Sequence, residues 1–367
     1  MVFRDENSFD FAKIYNLKVM NEFLDFNSLM TSKTISGWGC KGFVNSKLLN
    51  LGSSQEIINL IKGSQTSSLI TRGLGRSYGD AAQLKDDFVL NIGFSNGISL
   101  SGNQLTVGGG VSISKLLEVI VPLGYFLPVS PGSAQVTIGG AVAADVHGKN
   151  HHKDGSLGNH VSRILLIDGK GELKEIKPKL EHSEENNNFF WATIGGMGLT
   201  GIILEVTISL IKIETSLMKV DTFICNELEI LMDLMRSKDK EYSYSVAWVD
   251  SLHKKTRGVL TCGEHAKLED LDNTSLDLLS YDSKNLGTAP RFLPNGILNK
   301  LTVKAFNEFW FRKSGAIENS IQTISQFFHP LDGVSNWNRI YGSQGFYQYQ
   351  FVIPVSYTHL RAHETSR

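Results

Sequence analysis

Cysteine is scarce: Cys40, Cys225 and Cys262 are the three in 367 residues, and none stands in a CxxC pair. Three are too few for a disulfide framework, and they read as ordinary buried or surface thiols. No stretch approaches about 18 uninterrupted apolar residues, so no membrane-spanning helix is expected. The N-terminus, MVFRDENSFDFAKIYN, carries acidic residues and lacks the apolar core of a secretory signal. Neither sign of charge is in excess, since 36 Lys and Arg against 37 Asp and Glu leave a net −1. This removes any general electrostatic attraction to nucleic acid or an anionic bilayer and leaves only a local basic patch as a route to either. These absences predict a cytoplasmic protein with no nucleic-acid partner and at most peripheral contact at the inner face of a membrane.

Catalytic signatures are missing too. Without a GxSxG elbow, a P-loop lysine or a kinase signature, acyl and phosphoryl transfer lack their usual supports, and redox chemistry on a bound cofactor fits better. What the chain has in excess is glycine, 35 residues concentrated between Gly73 and Gly201. With 41% hydrophobic and 20% charged residues the chain is a soluble globular protein. At roughly 100–200 residues per domain its length allows two or three.

Gln55–Gly63 repeats apolar residues at helical spacing and ends on glycine, which predicts a short helix. Ser68–Thr71, Phe88–Ile92 and Gln104–Val107 read as strands, and Ser112–Ile120 as a helix with Ser112 at its N-cap. Asp168-Gly169-Lys170-Gly171 between Arg163–Ile167 and Glu172–Ile176 is a hairpin signal. Ile202–Ile213 reads as one long strand. Beyond about residue 215 glycine thins out. Helices are expected over Leu228–Met235, Leu298–Phe311 and Ile317–Phe327, strands over Tyr244–Asp250 and Phe346–Ile353, and a polar insertion or lid over Ala266–Asn285.

Three glycine segments could carry chemistry. Arg72-Gly73-Leu74-Gly75-Arg76-Ser77-Tyr78-Gly79-Asp80 follows a strand, and its Cβ-free residues allow backbone N–H groups to wrap a pyrophosphate, with Arg72 and Arg76 adding charge; an ordinary glycine turn is the alternative. The small residues from Pro131 to Asn150 suggest backbone packed on a large flat ligand, or else a tightly packed helix start after Gly139-Gly140. Gly196-Met197-Gly198-Leu199-Thr200-Gly201 satisfies GxGxxG, but the next residues, IILEVTISL, form a strand where a dinucleotide fingerprint needs a helix. It reads as a glycine turn into a buried strand. His147 and His151 stand four apart like zinc ligands, yet Gly148 and Lys149 weaken a helix there and no HExxH motif exists, so no metal is expected.

The segments RGLGRSYGD, VGGGVSISKLLEVIVPLGYFLPVSPG, TIGGAVAADVHGKNHHKDGSLGNHV and FFWATIGGMGLTGIILEVTI, in this order, resemble the FAD-binding domain of the vanillyl-alcohol-oxidase (PCMH-type) flavoprotein superfamily. ADVHGKNHH, WATIGGMGLTGI, YSVAWVD and FFHPLDGVSNWNRIYG are similar to its branch of decaprenylphosphoryl-β-D-ribose 2'-epimerase oxidases, over about Ser36 to Pro354. The resemblance implies an α+β flavoenzyme with a two-subdomain FAD-binding domain over 36–215 and a partial substrate domain, an antiparallel sheet with helices, over 216–354. Residues 1–35 are then an N-terminal extension. Members oxidise the 2'-hydroxyl of a polyprenyl-phosphoryl ribose, passing hydride to the flavin, and an NAD(P)H-dependent short-chain reductase returns the keto sugar as the arabinose epimer for cell-wall polysaccharide.

Carried over by position, the resemblance implies that the backbone around Arg72, Gly73, Leu74, Gly75, Arg76, Ser77 and Tyr78 holds the FAD diphosphate. It implies that Gly132, Ser133, Gly139, Gly140, Ala143, Ala144, Val146, His147 and Gly148 line the flavin and that Ile203 borders the adenine side. Tyr78, His147, Lys149, Trp248, Gln348 and Gln350 match pocket positions, with Tyr78, His147, Lys149 and Gln350 nearest the chemistry. Phe328 stands where relatives often carry a tyrosine, one pocket hydroxyl fewer. Relatives that tether FAD covalently use a histidine in the first glycine loop; Arg76 is there instead, so non-covalent FAD is expected. The string SYTHLRAHET in the last residues resembles a translated sequencing adapter, so 355–367 are read as a non-native tail and the family's further C-terminal chain as missing. The alternatives are an alditol or aldonolactone oxidase acting on free sugars, and a flavin-binding fragment without turnover.

Overall fold

The computed structural model describes residues 30–63, 68–92, 97–178, 184–271, 278–283, 286–290 and 293–348. Gln350, most of the strand expected over Phe346–Ile353, and the N-terminal and C-terminal segments lie outside the described residues, as does part of the expected lid.

The fold is α+β, built on three sheets. The first orders the strands Met30–Ile35, Val44–Asn50, Phe88–Asn91 and Leu69–Arg72, antiparallel at the first pair and parallel at the other two. The helix Ser54–Gly63 covers it, burying Ile57 and Leu60 against Leu49 and Leu90. The second sheet is antiparallel throughout, in the order Ile98–Ser101, Gln104–Gly108, Ile202–Ser209, Val161–Ile167, Leu173–Ile176.

On the second sheet lies the helix Ile113–Ile120. Ser112 caps it by accepting from the Lys115 N–H at 3.1 Å, and Ile113, Leu116, Leu117 and Ile120 are all buried, the i, i+3, i+4, i+7 stripe of a one-faced helix. Each such side chain contributes about 1.5–3 kcal/mol by leaving water. The hairpin at 168–171 closes with Gly171 at φ 72°, while Asp168 Oδ1 accepts from the N–H groups of Lys170 and Glu172.

The stretch Ile202–Ile213 is not one strand. It ends at Ser209, the Leu210 N–H donates to Asn103 O at 2.7 Å, and Ile211–Lys212 pairs with Tyr125–Phe126 instead. The chain has to turn here, because the next element belongs to the third sheet.

That sheet is antiparallel in the order Tyr244–Asp250, Arg257–His265, Leu217–Cys225, Ile317–Thr323, with the helix Leu228–Glu241 packed on it through Leu231. The helix expected over Ile317–Phe327 is therefore a strand, Ile317–Thr323, followed by a short helix, Ile324–Phe328. Ile317, Ile321 and Ile324 stand at helical spacing, but pairing with Leu217–Cys225 satisfies the backbone of the first seven residues. The true helix start is marked by Thr323 and Gln326, each side chain accepting from the other's backbone N–H. One hydrophobic core runs across the joint between the second and third sheets, and within it Phe126 packs on His265 and Phe328, both of which Tyr244 meets edge-on.

Candidate active site

Three glycine segments converge on one cleft. The first, Gly73–Tyr78, leaves the strand Leu69–Arg72 through Gly75 at φ 65°. It is held from behind by Trp38 N–H donating to Ser77 O at 2.7 Å and Gly39 N–H donating to Tyr78 O at 3.1 Å. The second segment enters the helix Ile138–Ala143, whose N-cap Thr137 accepts from Gly140 N–H at 3.2 Å. The third, Gly195–Gly201, turns back onto that helix, with Gly195 and Met197 donating to the carbonyls of Val142 and Ala143.

Backbones meet so closely that side chains are excluded. A Cβ at Gly73 would lie 2.3 Å from Thr137 Oγ1, and one at Gly109 would lie 2.3 Å from Ile203 O. The cleft between the segments holds about 1070 Å³. Of the expected cofactor residues, Gly73, Leu74, Gly75, Arg76 and Ser77 line it from the first segment. Gly139, Gly140, Ala143, Ala144 and Val146 line it from the second, and Ile203 from the sheet. Thr71, Gly109, Thr137 and the Met197-Gly198 turn join them. Sequence reasoning left Gly109 and Thr137 out, although the run Gly108-Gly109-Gly110 before a helix was a signal for the first.

A second cleft, of about 1290 Å³, shares Arg76 and Val136 with the first. Tyr78, Gly132 and Ser133 line it together with Trp38, Asp332 and Trp337. Asp332 was not anticipated as a site residue. Its two carboxylate oxygens accept from Ser133 Oγ and Ala134 N–H, both at 2.6 Å, which fastens the 131–135 loop to the segment after Pro330. The Arg76 guanidinium stacks 3.8 Å from the Trp38 ring centre and donates to Gln135 O at 2.9 Å. Tyr78 sits edge-on to Trp337, and burial raises the pKa of its hydroxyl.

The Arg72 side chain is tied up by carbonyls of its neighbours. Its guanidinium donates to Ala82 O at 3.0 Å and Ser36 O at 2.8 Å and packs beneath Gly75, so it braces the loop and does not line the cleft. Gly148 abuts Ser130 O, and His147 is exposed with its ring 5.4 Å from that of His151; neither lines the two clefts. Among the described residues no three His, Cys, Asp or Glu side chains group as a metal site.

Lys149 lies in the seam between the second and third sheets. Its ammonium donates to Phe327 O and lies 4.2 Å above the Phe327 ring, its own carbonyl accepts from Ser245 N–H, and burial lowers its pKa to about 8. Beside it, buried His329 shares a hydrogen bond with Ser130 Oγ at 2.9 Å. Trp248 is half-buried in the strand Tyr244–Asp250, opposite Val259, and Gln348 is exposed near the end of the described chain. Phe328 does not reach a pocket: it is 1% exposed, locked among Phe126, Tyr244 and His265. Without a hydroxyl to hydrate, its ring belongs in that core.

Lined by glycine backbone too close-packed for side chains, the first cleft suits a dinucleotide. Helix and loop backbone at its middle suit a pyrophosphate, and Arg76 at its junction with the second cleft supplies a cation. Residues 48–177 match the FAD binding domain family. The chain is 39% identical over 336 residues, 89% of its length, to decaprenylphosphoryl-beta-D-ribose oxidase of Mycolicibacterium smegmatis, covering 72% of that protein. It is 24% identical over 168 residues to D-arabinono-1,4-lactone oxidase of Kluyveromyces lactis, 43% of this chain and 31% of that one. Fit of cleft, matched domain and extent of identity agree, and the chain belongs to the decaprenylphosphoryl-beta-D-ribose oxidase family, whose members are FAD-linked oxidases.

Proposed function

We propose that this oxidase takes the 2'-hydroxyl of a polyprenyl-phosphoryl ribose to the 2'-keto sugar, the first half of an epimerisation to the arabinose form. A separate NAD(P)H-dependent short-chain reductase completes it. The observation that carries the reading is the 39% identity over 336 residues, 89% of the chain. Bound FAD, held without a covalent tether, supplies the acceptor for the hydride leaving the sugar carbon.

The chain's residues divide the remaining work. Backbone of Gly73–Ser77 and the Arg76 guanidinium bind the diphosphate, and Gly139, Gly140, Ala143 and Ala144 keep the wall flat enough for a ring system to lie against. Residues 36–215 hold the cofactor, and 216–354 present the sugar to it. Lys149, kept charged below about pH 8, attracts the substrate's anionic phosphate. By the resemblance, Tyr78, His147, Trp248 and Gln348 are assigned to the sugar side, and so is Gln350, which lies outside the described residues. A lipid-linked substrate puts the protein in peripheral contact with a membrane.

The test is an absorbance spectrum of the purified chain before and after acid precipitation, then with substrate. Flavin bands that move to the supernatant, and that bleach with polyprenyl-phosphoryl ribose but not with free pentitols or aldonolactones, are the expected result. Bleaching by the free sugars alone replaces the lipid-linked substrate with the activity named for the Kluyveromyces relative.

A further inference from the structure

The helix Lys300–Ser314 turns several large apolar residues outward. Polar pairs help to hold its inward side: Asn307 is buried and donates to Asp250 Oδ1 at 2.7 Å, and Arg257 bridges Asp250 and Glu308, with Glu308 Oε2 at 2.6 Å, while the half-buried Phe311 ring lies 4.2 Å from the Arg257 guanidinium. Its outward side is apolar, with Leu301 77%, Phe306 56%, Phe309 60% and Trp310 41% exposed. Single exposed apolar residues need no explanation, but a contiguous aromatic patch on one helix does. Phe306 and Trp310 stack on each other at 6.1 Å, and Lys313 Nζ lies 5.9 Å above the Phe309 ring. The patch is preformed, because Asn299 caps the helix by accepting from the N–H groups of Leu301 and Thr302 while Asn307 holds its middle.

Charge identifies the occupant. The helix carries four basic residues, Lys300, Lys304, Arg312 and Lys313, against one acid, Glu308, so 4 − 1 = +3 on a chain whose net charge is −1. Glu308 is itself paired with Arg257 and Arg312. Aromatic rings flanked by Lys and Arg suit the boundary between headgroups and acyl chains, where rings enter the apolar layer and flexible basic stems reach lipid phosphates.

The geometry points to this helix as a docking surface for an anionic phospholipid bilayer. For its setting the inference rests on the reading above, that the substrate is held in a membrane. Co-sedimentation of the full chain with phosphatidylcholine vesicles, with and without phosphatidylglycerol, tests it apart from catalysis, since the vesicles contain no polyprenyl phosphate. The chain binds the phosphatidylglycerol vesicles, and Phe306→Ser with Phe309→Ser weakens binding about tenfold. Ile230→Ser, at an exposed apolar position on another helix, leaves it unchanged. Equal binding by the double variant and the parent, or no binding by either, overturns the docking surface. So does a dimer that the double variant turns into a monomer, because the face then belongs between two copies. Turnover of a water-soluble ribosyl phosphate without vesicles reports on the substrate reading separately.

Discussion

Lys149 donates its ammonium to the main-chain carbonyl of Phe327, 178 residues further on, and lies 4.2 Å above that residue's ring. The contact ties the glycine-rich half to the helix that follows the last strand of the third sheet. It also takes the ammonium out of water, which is why its pKa drops from 10.5 to about 8.

The pH dependence follows with a definite sign. Between about 8 and 10.5 the unfolded chain holds a proton that the folded chain has lost, so the cost of burying the ammonium is fully present below about 8 and relieved as pH rises through that window. Activity moves the opposite way: with an ammonium required for the phosphate, kcat/KM falls on the alkaline side with a midpoint near 8. Lys149→Met removes that limb and lowers kcat/KM roughly 100-fold. Rate profiles across the alkaline range check both, and a limb that survives in Lys149→Met assigns it to another group.

His265 and His329 are buried, and burial pushes their pKa values down to about 4 and about 3. Below the ordinary 6.5 the unfolded chain takes up protons that these rings refuse, so stability is lost as pH falls from 6.5 toward 4. Among the described residues neither nitrogen of His265 has a hydrogen-bond partner. His265→Phe therefore stabilises the fold by about 1 kcal/mol at neutral pH and flattens its acid slope. Thermal melts at neutral and acidic pH measure both effects; an unchanged slope overturns the assignment.

Gly73→Ala sets a methyl 2.3 Å from Thr137 Oγ1, the cap of the helix Ile138–Ala143. Either the loop or the capped helix has to shift, and both line the cofactor cleft. The variant binds FAD at least about tenfold more weakly while keeping its far-ultraviolet circular dichroism, a comparison that flavin fluorescence titration makes directly.

Asp332→Ala frees the 131–135 loop by removing two charge-assisted hydrogen bonds of 2.6 Å. Losses of about 1.5–3 kcal/mol per bond are usual for such pairs. The expected result is weaker retention of flavin with partial recovery in Asp332→Asn, which keeps one acceptor oxygen. Flavin content after gel filtration distinguishes the three proteins.

The local features were readable in advance because they depend on near neighbours. The helix Ile113–Ile120 follows from its apolar spacing and its serine cap, the hairpin at 168–171 from its turn residues, and the glycine segments from their order along the chain. The strand Ile317–Thr323 was hidden because its isoleucines fit a helix equally well, and only the open edge at Leu217–Cys225 decides between them.

By itself, the sequence determined the cofactor class and the flavoprotein family, since both rest on glycines whose freedom to take positive φ or approach another backbone belongs to the residue. Tertiary structure decided how side chains are spent. Arg72 turns to carbonyls at Ser36 and Ala82, and Phe328 disappears into a core with Phe126. Asp332 grips a loop 198 residues earlier, and a helix hides Asn307 while showing Phe309 to the outside. Each of these depends on a partner brought close only by folding, and burial sets the energy of a charge or a ring by what surrounds it rather than by its place in the chain.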